Sequence, residues 1–167
     1  MWSVILTGLF TLLGVYVANR ANLKRYELEQ RDRDLKLKLE KLEEFYILFS
    51  KWSDLCYQSY MGLIYTNNSI NDSLRLKSAF GNNDKQQVND VVKLKMLLNI
   101  YFNDLNIYYE KVIEKRDILS KFINNLPQNK EDNTRLIKEA FLFSDICDQF
   151  KKKISEYSKL LLQTEAK

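Results

Sequence analysis

The sequence predicts an all-α protein in which an N-terminal transmembrane helix continues into a long helix and joins an antiparallel three- to four-helix bundle. The 167 residues include Gly four times and Pro once, which is too few for a turn-rich β fold. Between these breakers, apolar residues recur at spacings of three and four over long stretches, as in amphipathic helices. Before Arg20 the chain has no charged side chain. The composition and the spacing predict the bundle, and the uncharged run predicts the anchor.

Residues 1–19 are the predicted transmembrane anchor. As a helix, residues 2–18 would measure about 26 Å, close to the ~30 Å of a bilayer's hydrocarbon core. A cleaved signal peptide and a buried core helix are the alternatives. No basic residue precedes the apolar run and no small-x-small cleavage site follows it, so the anchor is favoured. The residues expected to flank the membrane are Trp2, Arg20, Lys24 and Arg25.

The basic residues near the anchor predict its orientation. They all lie on its C-terminal side, so the positive-inside rule places the N-terminus outside and the remaining chain in the cytoplasm. We therefore expect a single-pass protein of the inner (cytoplasmic) membrane. Its two cysteines, Cys56 and Cys147, are then expected to be reduced thiols rather than a disulfide.

One face of the long first helix carries a stripe that predicts self-association. Small residues in the anchor fall on one side of a helix, and leucines continue at the same spacing in the charged segment 20–44. Small faces let helices approach closely in lipid, and an a/d leucine seam is typical of a coiled coil. Segment 20–44 is either such an oligomeric stalk or a solvated single helix held by i,i+4 ion pairs. The predicted oligomerisation face comprises Thr7, Thr11, Gly14, Ala18, Leu28, Leu35, Leu39 and Leu42.

Residues 45–167 are the predicted cytoplasmic bundle. The first helix is expected to run to about residue 65 and to be followed by a loop over 66–72. A short helix over 73–80 and a long one over 84–125 come next. Pro127 then breaks the chain before a last helix over 131–163. Long amphipathic helices with short links favour an antiparallel bundle.

Two cations interrupt an otherwise apolar seam of the predicted helix over 84–125. Lys95 and Arg116 are therefore a candidate buried-charge site, which would bind an anion or a tail of a partner protein or act as an ion-pair switch inside the bundle. The alternative is that their aliphatic stems pack while the charged groups reach solvent at the edge of the bundle.

The composition excludes several function classes. The chain has no histidine, so the commonest general base and metal ligand is missing. We expect no catalytic residue, cofactor or metal site, and therefore not an enzyme. The formal net charge of +4 is small and diluted by acids, which argues against a nucleic-acid partner.

The pattern predicts an interaction protein that is anchored in the membrane and either self-associates as a homo-oligomer or docks a cytoplasmic protein partner there. The alternative is a membrane-active effector whose oligomerised spans perturb the bilayer. The layout is common among small bacterial membrane proteins. The abundance of Asn, Lys and Ile is typical of AT-rich genes, which phage-borne and phage-defence genes often are.

Overall fold

The computed structural model is all-helical, as the sequence predicts. It describes the backbone of residues 2–66, 85–124 and 130–164, and the side chains of residues 7, 8, 10, 12–62, 64, 88–121 and 131–163. The described residues form four α-helices and one short 3₁₀ helix over Asn103–Leu105. We number the α-helices α1 (Trp2–Thr66), α2 (Lys85–Tyr101), α3 (Asn106–Asn124) and α4 (Lys130–Thr164).

Helix α1 is unbroken over 65 residues, which confirms the predicted long first helix. At 1.5 Å per residue it is about 97 Å long. Neither Gly nor Pro interrupts it between Gly14 and Gly62. Most of the predicted loop over 66–72 and the predicted short helix over 73–80 lie outside the described residues.

The single helix predicted over 84–125 is wrong, because the chain leaves helical geometry at Phe102 (φ −132°, ψ 40°). The Phe102 amide still bonds the Leu98 carbonyl at 3.0 Å, and the Leu105 amide then bonds the Phe102 carbonyl at 2.9 Å. No Gly or Pro marks this break. The Asn103 and Asp104 side chains can compete with a helical backbone for hydrogen bonds, which weakens the helix there. The break also leaves the Phe102 ring buried in the core.

Helix α4 lies between α1 and α3 and runs antiparallel to both. Along α1, Phe49 contacts Phe150 of α4, and the later residue Tyr60 contacts the earlier Phe143. On the other side, the Lys115 ammonium of α3 pairs with Glu139 of α4 at 2.6 Å. Helix α2 joins α1 through an ion pair between Lys93 and Glu44. These contacts define a helical bundle.

The buried stripe of α4 confirms the helical period that the sequence predicts for it. Six residues at spacings of three and four are 3% exposed or less: Leu136, Ala140, Phe143, Cys147, Phe150 and Ile154. The Phe150 ring meets Phe49 edge to face, with centroids 4.7 Å apart. Burying one such side chain stabilises the fold by about 1.5–3 kcal/mol. Helix α4 is therefore the central element of the core.

The side chains that the structure describes in the N-terminal half of α1 are open to solvent. Every side chain from Leu12 to Asp34 is exposed. No helix built from the described residues is long and apolar enough to span a membrane. The bundle is thus shown, whereas the predicted anchor stays a prediction.

Candidate interaction surface of the first helix

The predicted oligomerisation face, which we call the α1 stripe, falls into an open part and a covered part. Among its earlier members, Thr7, Gly14, Ala18 and Leu28 are exposed. The Thr11 side chain lies outside the described residues. The later members are progressively covered: Leu35 and Leu39 are half-buried and Leu42 is 3% exposed.

The open part of the α1 stripe presents small groups with free space above them. A Cβ placed on Gly14 would meet nothing within 4 Å among the described residues. Further along, Leu28 is 54% exposed although it is a large apolar side chain. A face with these properties lets a second helix approach closely.

The covered part is incorporated in the chain's own core. Leu42 belongs to the buried hydrophobic cluster. Because only 3% of Leu42 is exposed, it offers a second chain almost no surface while the bundle is folded. The part of the α1 stripe that a partner can reach therefore ends at Leu39.

An open groove begins where the α1 stripe becomes covered. It has a volume of about 300 Å³ between α1 and α4. Apolar groups line it together with two small hydroxyl residues of α4. The Ser158 hydroxyl donates to the Ser155 carbonyl at 2.8 Å. We call this space the α1–α4 groove; its lining residues are Leu39, Leu42, Glu43, Tyr46, Ile154, Ser155 and Ser158.

The predicted membrane-flanking residues lie on the open half of α1. Arg20, Lys24 and Arg25 are exposed, and the Trp2 side chain is outside the described residues. The Arg25 Nε donates to Glu29 Oε1 at 2.9 Å, one helical turn away. Because both side chains are at least half exposed, this pair contributes little stability.

Lys95 and Arg116 lie near one cleft but are not fully buried. Lys95 is exposed and lines the cleft between α2 and α3 together with Asp117. The Arg116 side chain is 33% exposed and its Nη2 contacts Asp117 Oδ1 at 2.6 Å. This arrangement resembles the edge position that the sequence offered as the alternative. The anion or partner-tail role stays a prediction.

The two cysteines are free thiols in the core, Cys147 on α4 and Cys56 at its edge on α1. Burial raises the pKa of Cys56 to about 11 and that of Cys147 to about 12. A thiol is nucleophilic as its thiolate, so both groups are unreactive near neutral pH. No cluster of three His, Cys, Asp or Glu side chains within the described ranges is placed to hold a metal ion.

Two surface features escaped prediction from the sequence. The first is the contribution of α4 to the α1–α4 groove, for which the only signal is the i,i+3 pair Ser155 and Ser158 beside a buried Ile154. The second is an exposed apolar row on α2. Its members follow an i,i+4 spacing that is visible in the sequence: Val88, Val92, Met96 and Ile100.

Comparisons with known proteins add no relative. No family model, curated protein or solved structure matches this chain.

Proposed function

We propose that this protein is a single-pass, membrane-anchored interaction protein that self-associates or recruits a cytoplasmic partner at the inner membrane. The contrast between the two halves of α1 is the observation that carries this proposal. The C-terminal half packs into a bundle, whereas the N-terminal half is an uncovered helix with a dense apolar surface. Six large apolar side chains there are 52–72% exposed: Phe10, Leu12, Leu13, Val15, Tyr16 and Val17.

A bilayer is the surrounding that fits this surface best. Covering one Val, Leu or Phe side chain is favourable by about 1.5–3 kcal/mol. These side chains surround the helix except on the face of small residues that carries Gly14 and Ala18. No charged group before Arg20 opposes insertion. Arg20, Lys24 and Arg25 then lie at the cytoplasmic surface, where basic residues are favoured.

The exposed charged segment after the anchor acts as a spacer. From Ala18 to Leu35, where α1 starts to be covered, the rise along the helix is about 26 Å. The bundle is therefore held away from the headgroups and can contact a partner without displacing lipid. The described residues carry no metal cluster and only unreactive thiols. Binding is therefore the function that their side chains support.

The open part of the α1 stripe also fits the membrane-active effector, because small faces allow several spans to pack together. The apolar run has no charge to line a pore, so we rank this function second. Overexpression distinguishes the two. Growth arrest or depolarisation that is lost on deletion of residues 1–19 would favour the effector.

Membrane attachment is tested by two matched double variants. Phe10→Arg with Leu13→Arg places two charges in the middle of the apolar run, and Leu23→Arg with Tyr26→Arg places them on the spacer. An Arg at the centre of a span costs about 2.5–3.5 kcal/mol. The first variant should move to the soluble fraction after alkaline extraction of membranes, and the second should stay with the wild type in the pellet. A wild-type protein that is extracted by alkali would contradict the proposal.

Self-association is tested by native mass in detergent. Leu28→Asp places a charge on the open part of the α1 stripe, and Leu23→Asp places one on another side of the same helix. We expect an oligomeric wild type, a monomeric Leu28→Asp and an oligomeric Leu23→Asp. Monomeric mass for all three would leave recruitment of another protein as the remaining form of the function.

A further inference from the structure

We propose that the α1–α4 groove seats the first helix of a second copy, so that the homodimer contact continues from the membrane into the bundle. This inference rests on the proposed function, since the shared membrane makes the two α1 helices parallel. It adds that α4 supplies part of the interface.

The groove is a direct continuation of the α1 stripe. Leu39 belongs to both, and Tyr46, 40% exposed, is two turns further along the same face. Because α1 is unbroken, a second helix lying against Gly14 and Leu28 reaches the groove without a bend. There Leu42 is buried in the chain's own core and α4 forms the other wall of the groove, so the second helix contacts α4 beyond the open part of the α1 stripe.

The walls of the groove suit a closely packed helix. Ser155 and Ser158 project only short side chains, which leaves space beside the buried Ile154. In a two-fold symmetric contact each copy offers the same surface and fills the other's. The exposed Tyr46 ring of one copy would then enter the groove of the other, where Leu39 and Ile154 provide apolar contact.

Opposite charges lie at and beside the groove: a carboxylate on its α1 wall and an ammonium one turn further along α4. Glu43 on the α1 wall is exposed, and Lys159 on α4 is exposed one turn after Ser155. Neither takes part in an ion pair within the described part of the chain. A parallel pair brings Glu43 of one copy towards α4 of the other, where Lys159 can pair with it. Such charges at the rim fix the orientation of a contact more than its strength.

The extent of the contact is consistent with a second copy. From Gly14 to Tyr46 the helix rises about 48 Å, and a helical face of that length buries on the order of 500 Å² per copy. That is below the roughly 600–1,000 Å² per copy of specific, stable interfaces, so the α4 contribution is needed. Anchoring in one membrane further raises the effective concentration of a second copy.

Disulfide crosslinking of the full chain in isolated membranes tests the groove. Tyr46→Cys places a thiol at the proposed contact, and Lys51→Cys places one on an exposed part of α1 away from the groove. Gly14→Cys reports on the membrane part alone. The buried wild-type thiols should give no crosslink under mild oxidation. We expect a disulfide-linked band of twice the chain mass for Tyr46→Cys and Gly14→Cys, and mainly monomer for Lys51→Cys.

The other outcomes separate the two proposals. A crosslink at Gly14→Cys without one at Tyr46→Cys would overturn the groove contact and leave the membrane contact. No crosslink at either position would overturn self-association itself. Equal crosslinking at Lys51→Cys, or a band whose mass is not twice that of the chain, would also overturn the groove contact.

Charge reversal provides an independent test in the Tyr46→Cys background. Glu43→Lys or Lys159→Glu alone should reduce the crosslinked fraction several-fold, and the two together should restore it. Arg33→Glu, a reversal at another exposed position of α1, should leave the fraction unchanged. Loss of crosslinking in the double reversal as large as in the single ones would overturn the assigned pairing.

Discussion

The two halves of α1 share one helical backbone but differ in whether their side chains are exposed or buried. From Leu12 to Asp34 every side chain is exposed, whereas Leu42, Phe45 and Phe49 are buried against other helices. One continuous heptad spacing runs through both halves. The chain's own α4 covers the face that this spacing defines only in the second half. The comparison shows that one stripe of an uninterrupted helix can be open at one end and covered by the chain's own helices at the other.

The largest expected effect concerns the covered half. Phe143→Ala removes a ring that is fully buried and meets both Trp52 and Tyr60. We expect the free energy of unfolding to fall by about 3–5 kcal/mol, because the bundle cannot close the cavity. Chemical denaturation in detergent, followed by helical circular dichroism, measures this change.

The control is two residues away on the same helix. Phe141 is 57% exposed, so Phe141→Ala should change the unfolding free energy by less than about 0.5 kcal/mol. Similar losses for both variants would mean that α4 does not present the face described here to the core.

Ion pairs should likewise contribute more stability inside the bundle than on the bare half of α1. Lys115 and Glu139 are mostly buried between α3 and α4 at 2.6 Å, so Glu139→Gln should cost about 1 kcal/mol or more. The exposed Arg25–Glu29 pair on the bare half should contribute less than about 0.5 kcal/mol, measured with Glu29→Gln. Equal costs would remove the distinction between a packed and a solvated half.

Alkaline pH should lower the free energy of unfolding of the covered half. Burial raises the pKa of Cys147 from the ordinary 9.0 to about 12 in the folded chain. Unfolding therefore releases protons between these values, and this contribution to stability is complete below pH 9 and lost as the pH rises towards 12. The loss is at most about 1.4 kcal/mol per pH unit for the thiol. Thermal unfolding should show a shallower decline above pH 9 for Cys147→Ala than for wild type.

The smallest expected effect on stability comes from removing the bare end. Deletion of residues 1–19 removes no side chain of the described core, so the unfolding free energy of the bundle should change by less than about 0.5 kcal/mol. The same deletion should release the protein from membranes. A clear loss of bundle stability would show that the N-terminal half packs against the bundle after all.

Sequence reasoning worked where periodicity alone decides the structure. The six-residue stripe of α4 and the unbroken length of α1 follow from spacings of three and four with no Gly or Pro between them. The same reasoning failed at Phe102, because no Gly or Pro marks the break in the helix there. A local sequence pattern does not indicate how distant segments pack against each other.

The candidate surface was predictable in part for the same reason. The sequence places Gly14, Leu28 and Leu39 on one face of α1, and the structure does so as well. It could not indicate that Leu42 would be buried in the chain's own core beside α4, or that Ser155 and Ser158 would border a groove. Both facts depend on the register between two helices about a hundred residues apart in the sequence.

Nitroxide labels on α1 test most directly whether the bare half lies in a bilayer. Labels at Leu12→Cys and Leu23→Cys, both on exposed positions of one helix, should respond in opposite ways in reconstituted membranes. The label at position 12 should collide with dissolved oxygen and be shielded from a water-soluble nickel chelate, and the label at position 23 should be open to the chelate. Equal access of the nickel chelate to both labels would contradict a membrane-anchored first helix.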